Sequence, residues 1–306
     1  MSNRSPPVPI AAPRTWPTWC LVGLGWLIAR LPWAAILRLG KPLGSLAFRL
    51  GGARRRITET NLRLCFPELG PAERQAMARR VFEAVALGVL EVCVAWLNPR
   101  RGRRHRVRLE GVEHFQAALG KGRGLLLLGA HFAVMDIIAA PLAGLGPVAV
   151  MYRRNRNPVW EWLQVRGRRH YFTEVLERKA LRPTLRALKA GHAIWYAADQ
   201  DYGAKHSVFA PFFGVSAATI TATAQLARHN GSPVLMMSQH RDPAARSWTI
   251  RFEPPLANFP SGDAQRDAAA VNQAIEAAVR RAPEQYLWLH RRFKTRPPGE
   301  ARPYAP

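Results

Sequence analysis

The chain is short of acid. Against 45 lysines and arginines stand 20 aspartates and glutamates, a formal net charge of +25 over 306 residues. A balance this basic implies an anionic partner or surface, and nucleic acid, anionic lipid and an acidic carrier protein all qualify. Cysteine is scarce as well: Cys20, Cys65 and Cys93 lie too far apart for a metal knuckle and read as reduced core or interface residues. Long apolar runs are missing from the N-terminal region, where the uncharged stretch Thr15 to Ala29 falls short of the roughly 20 residues a straight membrane-spanning helix needs. No period of 20–50 residues recurs, which excludes a repeat protein. Neither a zinc knuckle nor an aromatic RNA motif is present and the arginines are dispersed, so a nucleic-acid-binding role is disfavoured despite the charge. What remains is a globular balance, 48% hydrophobic and 21% charged.

The first fourteen residues are polar, Pro-rich and irregular. Beyond them Trp16, Trp19, Trp26 and Trp33 are spread among apolar stretches punctuated by Arg30, Arg38 and Lys41, with Pro32 and Pro42 interrupting any long helix. Tryptophan flanked by basic residues suits a membrane interface. Residues 1–50 are therefore expected to be an irregular segment and a membrane anchor, and residues 51–306 a catalytic domain. A cleaved signal peptide is disfavoured, since no small-residue cleavage site precedes the next charges.

Pro71 to Leu97 has apolar residues at helical spacing, with Glu83 and Glu91 read as solvated interruptions. After the arginine cluster 100–108, a linker or a headgroup contact, the chain alternates between apolar strands and helices. Strands are expected at Val107–Glu110, Leu125–Leu128, Val148–Tyr152, Ala193–Ala198 and Val234–Ser238. Helices are expected from about Ala133, from Pro158, over Leu181–Ala190, Ala217–Asn230 and about Gln265–Arg281. Trp248–Phe252 reads as an antiparallel addition, and a short strand is expected around Tyr286–Leu289. This rhythm predicts an α/β fold with a mixed, largely parallel sheet flanked by helices.

Residues 124–136, GLLLLGAHFAVMD, carry the chemistry. On a continuous helix His131 and Asp136 would point about 140° apart, so a contact between them requires His131 in the turn after a buried strand. The following helix would then carry Asp136 back toward the imidazole and offer free N–H groups beside a developing oxyanion. Such a neutral imidazole takes the proton of an attacking alcohol while a carboxylate holds its tautomer. Two further polar blocks, Met151-Tyr152-Arg153-Arg154-Asn155-Arg156-Asn157-Pro158 and Asp199-Gln200-Asp201-Tyr202-Gly203, follow the next apolar runs. In open α/β sheets such strand ends converge on one crevice.

With these blocks the chain resembles the lysophospholipid acyltransferase superfamily, and within it the late-acting lipid A (Kdo-lipid A lauroyl/myristoyl) acyltransferases. The likeness rests on AHFAVMD (130–136), MYRRNRNP (151–158), DQDYG (199–203), Phe209 to Gly214, PEQYLWLHRRFKTRPPGE (283–300) and NLRLCFPEL (61–69). It implies transfer of an acyl chain from acyl carrier protein thioester to a hydroxyl of a phosphorylated Kdo-lipid A precursor, at the inner membrane with the catalytic domain facing the cytoplasm. An alternative within the same chemistry is a phospholipid or ornithine-lipid acyltransferase. His131 is expected as general base with Asp136 as its partner, and Tyr152, Arg153, Asn155, Arg168, Asp199 and Asp201 as substrate-binding residues. Partners would be acyl carrier protein, an anionic glycolipid and the membrane. No cofactor and no metal are expected.

Overall fold

A computed structural model describes residues 9–242 and 244–304. Four helices open the chain: α1 (Trp16–Ile28), α2 (Trp33–Leu50), α3 (Gly52–Cys65) and α4 (Pro71–Leu97). Pro71 suits the first turn of α4, and the Glu73 carboxylate accepts from the Gly70 N–H at 2.8 Å, closing that helix start. α2 lies against α4, and a side chain at Gly44 would meet the Glu83 Cα at 2.3 Å. Only glycine permits that approach.

Beyond the short α5 (Pro99–Gly102) run β1 (Arg106–Glu110), α6 (Val112–Leu119), β2 (Leu125–Gly129), α7 (Ala139–Ala143), β3 (Val148–Tyr152), α8 (Pro158–Arg169), β4 (Glu174–Glu177), α9 (Leu181–Lys189) and β5 (Ala193–Ala197). A hairpin follows, β6 (Ser207–Phe212) and β7 (Val215–Ile220), and then α10 (Ala222–Asn230), β8 (Val234–Asp242), β9 (Ser247–Pro255) and α11 (Ala264–Arg281). The main sheet has the order β1-β9-β8-β2-β5-β3-β4, parallel throughout except at the antiparallel β8–β9 pair. This is the mixed, largely parallel sheet that the alternating pattern predicted, with Trp248–Phe252 inside the antiparallel strand β9.

All five residues of β2 are buried, as a central strand covered on both faces requires. Their side chains alternate between two cores. Leu126 and Leu128 join Ile194, Met236 and Ile275 on one side, while Leu125 and Leu127 join Leu87, Leu90, Val94 and Trp195 on the other. Ala29 and Ile36, from the N-terminal helices, belong to the second core.

Several local expectations are corrected. Residues 217–220 belong to β7 and the helix starts at Ala222, because Thr219 and its neighbours pair across the hairpin with β6. Around Tyr286 only an isolated bridge to Phe132 forms. Glu91 is not solvated: it is fully buried and binds Arg241 through both carboxylate oxygens at 2.5 and 2.6 Å, with the Trp248 indole N–H at 2.7 Å. The partners lie some 150 residues away, beyond the reach of any local pattern. Cys20 is exposed, Cys65 buried and Cys93 half-buried, and none is in a disulfide. Among the described residues no helix is long and apolar enough to cross a membrane, so a spanning anchor is not among them.

Candidate active site

The register of two parallel strands builds the site. Gly129 of β2 is opposite Ala197 of β5, so His131 and Asp199 each stand two residues past a paired position at the carboxyl edge of the sheet. The Asp199 carboxylate accepts from the His131 ring at Nδ1, 2.6 Å, with one oxygen and from the His131 backbone N–H, 2.9 Å, with the other. Its side chain is fully buried, whereas the imidazole keeps 22% of its surface. Donation from Nδ1 leaves the lone pair on Nε2, which the Gln200 side-chain amide nitrogen approaches to 3.4 Å.

Electrostatics favour a charged imidazole. Burial, the largest influence, pushes His131 down, but the Asp199 charge and hydrogen bond outweigh it and the net shift is upward. Burial likewise pushes the Asp199 carboxyl up, yet His131 and its backbone N–H bring it well below the usual carboxylate range. An imidazolium at His131 would therefore meet a charge that is already in place.

Asp136 does not occupy this position. After His131 the chain forms no helix until Asp136: Leu287 N–H donates to the His131 carbonyl at 2.8 Å, and Ala133 N–H to the Gln285 carbonyl at 2.6 Å. The helix expected from about Ala133 begins only as a 3-10 turn at Asp136, followed by α7. Asp136 is thereby turned toward the end of α8, where Arg168 donates to its two oxygens at 2.8 and 3.1 Å. Both side chains are 6% exposed, and the expected His131–Asp136 contact is replaced by a buried ion pair. Arg168, expected at substrate, is committed to it.

The third strand end is arranged differently. Tyr152 O–H donates to Glu161 at 2.7 Å and Asn155 N–H to the other oxygen of the same carboxylate at 2.8 Å. Burial and Glu161 push the Tyr152 phenol up to about 12. Asn157 caps α8 by accepting from Val159 and Trp160 N–H. Arg153 is exposed. Asp201, the second acid of DQDYG, is 6% exposed and accepts from Thr295 O–H, Thr295 N–H and Gly203 N–H at 2.8–2.9 Å. It fastens the C-terminal segment to the end of β5. That segment, which carries part of the family likeness, contributes two residues that were not among the expected site residues, Tyr286 and His290, both close enough to Asp199 to feel its charge. Burial first, and Asp199 next, raise the Tyr286 phenol, while burial holds the His290 imidazole down. Arg292, in the basic run 290–294, is also internal, 1% exposed, and bonds the Ala218 carbonyl, Thr219 and Asn272.

Residues 8–295 match the family described as bacterial lipid A biosynthesis acyltransferase. The chain belongs to this family. Among its relatives is the lipid A biosynthesis lauroyltransferase of Escherichia coli K12, 41% identical over 94% of this chain and 94% of the relative. The palmitoleoyltransferase of the same organism is 36% identical over 95% of each, and its myristoyltransferase 30% identical over 95% of this chain and 91% of the relative. In this member of the family an imidazole and a buried carboxylate meet at the carboxyl edge of the parallel strands β2 and β5.

Proposed function

We propose that the protein transfers a fatty acyl chain from an acyl carrier protein thioester to a hydroxyl of a phosphorylated Kdo-lipid A precursor, with His131 as general base and Asp199 as the carboxylate that orients it. The observation that carries this reading is the contact of the Asp199 carboxylate with both Nδ1 and the backbone N–H of His131, which in the neutral imidazole makes Nε2 the proton acceptor. The acceptor hydroxyl gives its proton to Nε2 as its oxygen bonds to the thioester carbonyl carbon. The tetrahedral oxyanion then collapses, the C–S bond breaks, and the imidazolium returns the proton to the departing thiolate. No covalent enzyme intermediate or cofactor is required.

Arg153, exposed at the end of β3, is proposed to grip an anionic group of the acceptor through its planar fork, with Tyr152 and Asn155 shaping the same wall. Residues 51–306 would form the catalytic domain and residues 1–50 the membrane-contacting segment. Supporting this, Trp16, Leu21, Leu24, Trp26 and Leu27 of α1 and Leu39, Leu43, Leu46 and Leu50 of α2 are all exposed. The α2 leucines recur at helical spacing as one stripe, the pattern of a helix lying in the interfacial plane. The site is proposed to face the cytoplasm at the inner membrane, where the acidic carrier protein would meet a basic surface.

The test is reconstitution. Purified full-length protein in mixed micelles, given acyl carrier protein loaded with a labelled acyl chain and a Kdo-lipid A precursor lacking secondary chains, should yield a product heavier by one acyl group in the mass spectrum. Absence of that product, with transfer to lysophospholipid instead, would overturn the reading.

A further inference from the structure

Away from His131, a groove of about 770 Å³ opens between α3, the first turn of α4 and the C-terminal segment. Four arginines line it, Arg56, Arg63, Arg74 and Arg291, and no lysine does; Arg74 donates to the Leu69 carbonyl at 2.6 Å. Its one acid, Glu59, is already paired with Arg55 at 2.8 Å. Arg56, Arg63 and Arg291 are exposed, and none of them makes an ion pair among the described residues. Between the arginines the surface is mostly apolar, with Ala53, Ile57, Pro71, Ala72 and Tyr304 beside the neutral polar Thr60 and Gln75. Guanidinium forks around an apolar floor suit a phosphate ester that carries hydrocarbon.

Position selects the source of that phosphate. The exposed stripe of α2 ends at Leu50, 77% exposed, and the groove begins at Ala53. Three residues of chain reach at most about 11 Å, so the start of the groove lies within that distance of the end of the stripe that the preceding section assigns to the membrane. We propose that this groove is a binding site for the phosphate headgroup of an anionic membrane phospholipid, separate from the acceptor site at His131. The proposal rests on that assignment of α2 to the membrane surface.

The groove is also wired to the catalytic loop. Arg54 in α3 donates to the Leu289 carbonyl at 2.9 Å, and Asn61 donates to the Trp288 and His290 carbonyls at 2.7 and 2.9 Å. The Tyr304 hydroxyl donates to Asn61 and accepts from Phe293 N–H. The same segment holds the His131 carbonyl through Leu287 N–H. A headgroup bridging Arg63 of α3 and Arg291 of the tail would therefore steady the strap on which His131 rests.

The test compares full-length wild type with the triple variant Arg56→Ser, Arg63→Ser, Arg291→Ser. A second triple variant, Arg182→Ser, Arg186→Ser, Arg228→Ser, removes the same charge from exposed positions elsewhere. Binding is read by flotation with vesicles of phosphatidylcholine alone and with 30%, by design, replaced by phosphatidylglycerol, in each case without acceptor. Each basic residue near an anionic surface is worth about fivefold in binding, so the groove variant should bind the anionic vesicles about 100-fold more weakly than wild type. The second variant should lose less than about tenfold. Equal losses in the two variants would reduce the effect to general charge and overturn the groove as a site. Unchanged vesicle binding with a raised KM for the carrier-bound donor would make the groove a dock for an acidic protein and overturn the lipid assignment. A raised KM for the acceptor alone, again with unchanged vesicle binding, would assign it to the glycolipid substrate. If wild type itself failed to float with any vesicle, the membrane reading of α2 would be the part that fell.

Discussion

Asp199 accepts from both the ring Nδ1 and the backbone N–H of His131, so one buried carboxylate fixes the imidazole's tautomer and its place on the chain together. Orientation is thus independent of solvent, because the carboxylate has no exposed surface of its own.

Replacing Asp199 by Asn should lower kcat about 10²- to 10⁴-fold with the fold retained, as expected when a base loses its orienting charge. The base must be neutral to act, so wild-type kcat should fall as pH drops through the His131 value, which lies above the ordinary 6.5. In the Asn variant the largest remaining influence is burial, which disfavours the imidazolium. The acid limb of the residual activity should therefore shift to lower pH. A limb that stayed in place would show that it belongs to another group.

Asp136→Asn should act on stability before chemistry. Breaking one side of a buried ion pair leaves Arg168 charged and uncompensated, a cost of about 3–5 kcal/mol. Denaturant melts should show that loss, and an equal loss in Arg168→Met would confirm that the two act as a pair. If Asp136→Asn instead kept wild-type stability and lost only kcat, Asp136 would have a direct role in the reaction.

Gly88 lets α4 touch the catalytic loop. A Cβ there would fall 2.1 Å from the Ala133 carbonyl oxygen, two residues from His131, so the loop must shift if Gly88→Ala is to fold. Overpacking of this kind costs about 1–3 kcal/mol. Activity measured well below the melting temperature should drop further than the folded fraction does, which separates misplacement of the loop from simple unfolding.

At Arg153 the charge and the fork can be separated. Arg153→Lys should raise KM for a phosphorylated acceptor with kcat little altered, since the contact is expected in both ground and transition states. Wild-type kinetics in both the Lys and Ala variants would remove Arg153 from the site.

Much of the fold was legible locally. Leu125 to Leu128 announce a strand buried on both faces, the following Gly-Ala corner puts His131 just past its end, and the βα rhythm implies a parallel sheet whose strand ends collect functional residues. The hairpin β6–β7 and the switch of residues 217–220 from helix to strand were not legible, because alanine-rich segments take either form and cross-strand pairing decides. Basic residues were also ambiguous. Arg168 was expected at substrate and nothing local marks Arg241 or Arg292 as internal, yet each is buried, because its carboxylate or carbonyl partner comes from a distant element.

By itself the sequence determined that this is an acyltransferase of the lipid A type, that His131 stands at the end of a central strand, and that Asp199 stands at the end of another. Which carboxylate serves His131 was decided only by tertiary structure. The chain crosses over through β3 and β4 before β5 inserts beside β2, and the Gly129–Ala197 register then brings together residues 68 positions apart. The nearer candidate, Asp136, is carried off because the loop after His131 finds its hydrogen bonds with Gln285 and Leu287 instead of closing into a helix. Sequence spacing sets which partners are within reach, but backbone pairing between distant segments sets the direction in which each side chain leaves the chain.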